Sequence, residues 1–482
     1  SRILYFKNLI QMKLENISNL LSKEQVKADE QLVTEIQLNL KSLGLYPGGK
    51  LIDGDYGPMT EGAIKQFCQA VDLPLLRFDK NFALKLLITK QLPFILQTAN
   101  NQESIFNKLL ATARKTRLSG DDVAAFLHRD IKNSIYITQI KEYSSCLAAK
   151  DETQSINSNY NNYPQRGTIP NIENQSLNFL NSEITEACVC LGQFEQEKIK
   201  TRWLGKNALA KNQFWSATKI IPILNVVSES NSESANIDIE SCYLNNQYKF
   251  IDIVLDIVSY RNKIASSNSA AAMLKRFQTP FELENWLKNI TGNQQLEFRS
   301  GYGETPFISQ PYLFDRLTAK QILNAAPTDL EIDKNYLSAY DLTRLMSMLG
   351  WHLHINQSAR LPGAQWHSLK DIIYAMGHDK ARYAEVALET LGLEKTIQAP
   401  VILSKLGYGY SNSRNTFEIT YTAFVQFIDE RFKSGTQLGK LRTLAMTLRG
   451  VTNPGNNQWA ELDARMAAGV TEIIRRIVTE EI

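Results

Sequence analysis

Residues 212–229 read NQFWSATKIIPILNVVSE, and within them Ser216 and Lys219 stand three apart. On a helix, residues at that spacing share a face, so a hydroxyl and an amine can meet there. Serine is a weak nucleophile at neutral pH, and a lysine whose pKa is lowered by burial can take its proton. The run that follows supplies the burial. Ile220, Ile221, Ile223, Leu224, Val226 and Val227 make the next turns apolar on nearly every side, the pattern of an interior helix. Pro222 is tolerated if the helix begins near Ser216, because the proline then lies soon after the first turn. Alone, an SxxK is equally what a helix-starting serine and a surface lysine produce, so the rest of the chain has to decide.

Three downstream segments do so. Residues 264–277, IASSNSAAAMLKRF, place Ser266, Ser267 and Asn268 ahead of a helix rich in alanine and leucine. Residues 401–427, VILSKLGYGYSNSRNTFEITYTAFVQF, place Lys405, Leu406 and Gly407 on a strand, followed by a turn and a second β-rich run. Residues 463–478, DARMAAGVTEIIRRIV, have helical periodicity. SxxK, SxN and KxG in that order are the signatures of class A β-lactamases and penicillin-binding proteins. From about residue 176 to 482 the chain resembles that superfamily.

The resemblance implies an α/β lobe with an antiparallel sheet, in which ITEACVCLGQF (184–194) and TFEITYTAFVQF (416–427) pair, with the C-terminal helix against one face. An all-α lobe lies between Ser216 and Lys405, and the active site falls between lobe and sheet. Carried over by position, Ser216 is the acylated nucleophile and Lys219 its general base. Ser266 relays protons between Lys219, Lys405 and the leaving nitrogen, and Asn268 bonds the substrate amide. Lys405 supplies positive charge near a substrate carboxylate. The backbone N–H groups of Ser216 and Tyr408 form an oxyanion hole, and Gly407, lacking a side chain, lets the substrate approach the strand. Two positions depart from the pattern. Leu406 stands where the family has Thr or Ser, with Ser404, Tyr408 or Tyr410 the candidates to compensate. In AKQILNAAPTD (319–329), Lys320 takes the offset from Asn324 at which class A enzymes hold the glutamate that activates the deacylating water, although Glu304, Glu331 and Asp333 are near in sequence.

Upstream, residues 31–71 read QLVTEIQLNLKSLGLYPGGKLIDGDYGPMTEGAIKQFCQAV. Val33, Ile36, Leu40 and Leu43 mark one apolar stripe, and Ala63, Ile64 and Phe67 another. Between them Gly44, Gly48, Gly49, Gly54 and Gly57 provide tight turns, and Pro58 suits the first turn of the second helix. LKSLGLYPGG (40–49) followed by IDGDYGPMT (52–60) resembles the peptidoglycan-binding domain family over roughly residues 31–90, which implies a three-helix module. Most of these glycines, Asp53 and Tyr56 build the turn, and the fold is better determined than the ligand.

The expected organisation is therefore multidomain: an N-terminal helical segment (1–30), the module (31–92), a helical connector and polar linker (93–175), and the hydrolase domain (176–482). Within the connector, Ser119 is a candidate N-cap, and residues 151–176 are rich in Asn, Ser, Gln and Pro. ITEACVCLGQF and the following EQEKIKTRW read as a β-hairpin.

Length and charge agree with this division. A chain of 482 residues exceeds one ordinary core, and 43% apolar with 21% charged residues describes a folded protein. A net charge of +3 argues against a dedicated nucleic-acid binder. No apolar run approaches the roughly 20 residues of a membrane span, and an opening Ser1 is compatible with a removed signal peptide. The five cysteines include no CxxC pair, which speaks against a zinc or thioredoxin-type site. Cys188 and Cys190 share a strand face as packed thiols. His352 and His354 read as core side chains, and neither a metal nor a cofactor is expected. The function implied is a cell-wall-associated serine acyl-transfer enzyme, DD-peptidase-like, acting on peptidoglycan or wall peptide in the periplasm or outside the cell. Its rivals are a silent wall-binding scaffold of the same fold, a class A-like β-lactamase, and a serine-dependent amidase such as a glutaminase.

Overall fold

The computed structural model describes residues 11–89, 102–115, 124–149, 159–327, 334–430, 439–453 and 458–482. They fall into two compact bodies, a smaller one within 1–101 plus 391–393 and 475–482, and a larger one from 102–390 and 394–474.

The smaller body contains the expected three helices: α1 (Glu30–Ser42), α2 (Pro58–Ala70) and α3 (Lys80–Ile88). Asp29 and Asp79 cap α1 and α3 by accepting the backbone N–H of Leu32 and Phe82, and Pro58 opens α2. Val33, Ile36, Leu40, Ile64 and Phe67 are buried against one another's helices. At the turn, buried Gln37 donates to Asp53 Oδ1, Asp55 O and Thr60 Oγ1, and accepts from the N–H groups of Asp53 and Gly54. Gly54 sits at φ +73°, and a Cβ there would lie 2.4 Å from Glu30 Cγ. That position demands glycine on two grounds. Before α1, the N-terminal segment forms a 3-10 turn at Leu14–Asn16 and one short helix at Lys23–Lys27.

The larger body is built on one antiparallel sheet. Its main strands are β1 (Ile184–Glu195), β2 (Lys198–Lys206), β3 (Ile397–Ser411), β4 (Thr416–Asp429) and β5 (Lys440–Thr452), in the order β2-β1-β5-β4-β3. The β1–β2 hairpin is the one read from the sequence. The two segments expected to pair, now β1 and β4, share the sheet but are separated by β5. Nothing in KLRTLAMTLRGVT says that it must lie between them, because both its faces are covered and its pattern does not alternate. Helix α4 (Ile220–Glu233), α5 (Phe250–Ser259), α6 (Ser267–Leu274) and α7 (Ala339–Gly350) lie between the second and third strands in sequence, and α8 (Gln458–Val478) closes the chain. Along β3, Lys405, Gly407 and Gly409 face one side, opposite Thr422, Thr420 and Glu418. Thr422 and Thr447 join Thr343 of α7 on that side. Leu406 faces the other side, opposite Tyr421, whose ring packs on Tyr383, a donor to Asp463 of α8.

Much of the expected connector packs within this body. Asn161–Asn162 and Ile172–Glu173 add to the free edge of β2. The chain between them is irregular, yet its carbonyls at Pro164, Gln165 and Thr168 accept from the buried Arg344 guanidinium. Similarly, the N–H groups of Phe126 and Leu127 donate to the buried carboxylate of Asp463. A polar composition reads as linker, but here the partners are distant side chains that satisfy its backbone. Ser119, Glu331 and Asp333 lie outside the described residues. The five cysteines are free thiols, with Cys188 and Cys190 both buried.

Candidate active site

Ser216 and Lys219 do share a face, on a 3-10 turn (Trp215–Lys219) that runs into α4. In a 3-10 turn residues i and i+3 eclipse, which brings the two side chains closer to register than an α-helix would. Ser216 is half-buried. Lys219 is fully buried and donates to Ser267 Oγ at 2.9 Å and to Asn268 Oδ1 at 2.6 Å. Ser267 Oγ gives its own proton to Ile257 O at 2.8 Å, so it meets the lysine as an acceptor. Burial first, and then the positive charge of Lys405, bring the Lys219 pKa down to about 6, against an upward pull from Glu304. A neutral amine has two N–H bonds and one lone pair. Ser267 and Asn268 take both N–H bonds, leaving the lone pair to receive a proton.

The SxN serine is placed differently from expectation. Ser266 caps α6 by accepting from Ser269 N, and donates to Glu304 Oε1 at 2.8 Å. The hydroxyl that meets Lys405 is that of Tyr260, which accepts from its Nζ at 2.9 Å. Lys219 Nζ lies 5.5 Å from the same ring's centroid. A second tyrosine, Tyr302, holds Thr218 Oγ1 at 3.1 Å, with its ring centroid 5.3 Å from Lys219 Nζ. Behind Tyr302, buried Lys275 bonds Ser300 O and Asn335 Oδ1, and Asn335 in turn donates to Gly301 O. Neither tyrosine carries a motif. Each reaches the site from a separate loop; of the residues here outside the three motifs, Glu304 was named in the sequence, for its nearness to the Lys320–Asn324 segment.

The glycine of KLG acts on the protein itself. A Cβ on Gly407 would stand 2.4 Å from Thr420 Oγ1, 2.7 Å from Ala217 N and 2.8 Å from Phe214 O. The absent side chain therefore admits the turn that carries Ser216, a role the sequence reading had given to substrate approach. Tyr408 pairs opposite Ile419, and its side chain turns to His128 and Trp459. Leu406 is fully buried on the far face from Lys405, and Ser404, on that same far face, donates to Asp379. Lys320 lies exposed on a strand of a separate four-stranded sheet, Lys320–Asn324. His354 bonds Leu147 O and His352 stacks on Trp366, both within the core.

The peptidoglycan binding domain family model matches residues 29–74. None of the curated proteins matches the chain in sequence. Among solved structures the chain is similar to a class A β-lactamase from Mycobacterium abscessus, at 11% identity over 63% of this chain and 98% of that one, with a TM-score of 0.37. It is similar also to a β-lactamase from Desulfarculus baarsii, at 11% identity over 62% and 96%, TM-score 0.37. A third, a β-lactamase from Xanthomonas campestris pv. campestris, shows 13% identity over 61% and 91%, TM-score 0.34. A likeness at that level decides nothing about the chemistry. What the comparisons identify by sequence is thus a peptidoglycan binding domain at residues 29–74.

Proposed function

We propose that the larger body is a serine acyl-transfer enzyme working through an acyl-enzyme on Ser216, and that the smaller one attaches it to the cell wall, in the periplasm or outside the cell. The observation that carries this reading is the state of Lys219: buried, held neutral near pH 7, its two N–H bonds engaged, three residues after a half-buried serine. In the first step the Ser216 proton passes to Lys219 Nζ as Oγ bonds to the carbonyl carbon of the substrate. The tetrahedral oxyanion is held by the N–H groups of Ser216 and Tyr408. Collapse breaks the carbon–nitrogen bond, and the leaving nitrogen takes the proton from Lys219. Water then repeats the sequence on the ester, releasing Ser216. Lys405, braced by Tyr260, supplies positive charge for a substrate carboxylate, and the substrate class is a wall peptide amide or ester.

A second reading, β-lactam turnover, is favoured by Glu304. Its carboxylate bonds Ser266 and acts electrostatically on Lys219, within the site where a deacylating water must be activated. Lys320, which argued against such a base, lies on a strand of a separate four-stranded sheet.

The test is covalent labelling with a fluorescent penicillin and an alkyl fluorophosphonate, read by intact mass. Wild type should gain one adduct and Ser216→Ala none. An adduct that survives at another serine refutes the assignment, and no adduct on wild type with either probe supports a silent scaffold. In the same experiment, Glu304→Gln separates peptidase from β-lactamase. If Glu304 positions the water, the substitution prolongs the penicilloyl adduct by about a hundredfold or more. If the lifetime is unchanged and long, the peptidase reading stands.

A further inference from the structure

The residue immediately before Ser216 is in a conformation that a side chain rarely adopts. Trp215 has φ +50°, the left-handed region that L-residues with bulky side chains avoid. Such a conformation persists only when its surroundings over-determine it, and it is found at sites where geometry matters for chemistry. Three side chains from the central strands supply the constraint. Glu418 Oε1 accepts from the Trp215 indole N–H at 3.1 Å. Thr420 Oγ1 donates to Phe214 O at 2.7 Å, and Arg449 Nε donates to Gln213 O at 3.1 Å. Glu418 and Thr420 are two apart on β4, hence on one face, and Arg449 of β5 stands directly opposite Thr420.

Glu418 is itself locked. It is fully buried, and it accepts from Arg414 Nε at 2.8 Å, Thr416 Oγ1 at 2.6 Å and Arg449 Nη2 at 2.8 Å. Burial would raise its pKa, but the bonds from Arg414 and Thr416 and the charge of Arg449 hold it down at about 2. It is therefore a fixed anion across the working pH range. On the other side, the indole lies where a Cβ of Gly409 would be, 2.3 Å from Trp215 Cζ3. The ring is clamped between strand β3 and the carboxylate.

We infer that Glu418 is a positioning residue for acyl transfer: through the indole N–H of Trp215 it holds the left-handed turn that aims the Ser216 hydroxyl. This rests on the reading of Ser216 as nucleophile. Misplacing a reacting atom by about 1 Å costs on the order of a hundredfold in rate, so the strut is worth most in the acylation step and nothing in the acid–base chemistry of Lys219.

The experiment measures the second-order rate of labelling by an alkyl fluorophosphonate, its final stoichiometry and its pH profile, with melting curves alongside. Variants are Trp215→Phe, Glu418→Gln and the pair. Glu418→Gln leaves Arg414 without its anion and Arg449 with Glu186 alone, and can unfold the site; Trp215→Phe removes only the indole N–H and its ring, which keeps the question answerable. Trp215→Phe should label to one adduct per chain but about ten- to a hundredfold more slowly, with the acid limb of the profile unmoved. The double variant should be no slower than the slower single one, since both cut the same bond. Labelling of Trp215→Phe at the wild-type rate overturns the inference, as does a slow rate explained by a lower stoichiometry. Failure of wild type to label removes the nucleophile reading itself, a result distinct from either.

Discussion

At Lys219 a side chain that is ordinarily charged is enclosed with two neutral acceptors, and the described hydrogen bonds include no carboxylate. Desolvation lowers the pKa to about 6, so the amine is mostly neutral at pH 7 and acts as a base without first losing a proton. The sign follows directly. Below pH 6 the group is protonated and its lone pair is gone, so labelling of Ser216 should fall about tenfold per pH unit; above pH 6 it should reach a plateau. Glu304 favours the charged form, so Glu304→Gln should move this limb to lower pH. A rate profile from pH 4.5 to 10 checks both. A limb that appears only above pH 9 means an ordinary lysine and defeats the proposed base.

Between elements, the decisive contact is that of the 3-10 turn with strand β3. The two approach so closely at Gly407 that Ala217 N and Phe214 O occupy the volume of a Cβ. These are backbone atoms, which cannot swing aside as a flexible side chain does. Gly407→Ala should therefore push the turn off the strand. The expected cost is about 1–3 kcal/mol in stability, and, because the N–H groups of Ser216 and Tyr408 would separate, at least about a hundredfold in labelling rate. Denaturant unfolding together with labelling kinetics would measure both. An alanine variant with wild-type kinetics would show that the two N–H groups need not be adjacent. The KxG motif announced this strand in the sequence, but it did not announce what the glycine is for. Nor did SxN reveal that Ser266 would turn to Glu304 while Ser267 and Asn268 hold the lysine. The three residues are adjacent, and which of them faces Lys219 depends on where α6 starts.

For the molecule as a whole, the two bodies have separate cores, and the smaller one satisfies its own turn through Gln37. A fragment of residues 11–90 should fold alone and sediment with purified sacculi, while residues 102–482 should keep the labelling rate of the full chain. Circular dichroism and a sacculus pull-down test the first, and the fluorophosphonate rate tests the second. A folded fragment that remains in the supernatant would assign the module a different ligand. Among the described residues no helix is long and apolar enough to cross a membrane.

The features that the sequence determined by itself are those written in local spacing. The DGDYGPMT turn, the two helices on either side of it, the Ser216–Lys219 face, the buried α4 and the β1–β2 hairpin each depend on residues within a few positions of one another, where periodicity and glycine or proline chemistry are sufficient. Tertiary structure alone decided the rest. Trp215 meets Glu418 across 203 positions, and Lys405 meets Tyr260 across 145. The strand β5 enters between β1 and β4, and the polar stretch at 161–173 joins the sheet at its two ends while Arg344 satisfies carbonyls of the irregular chain between them. Such pairings leave no periodic trace, since each partner is ordinary in its own segment and acquires its role only when the lobe and the sheet close on one another.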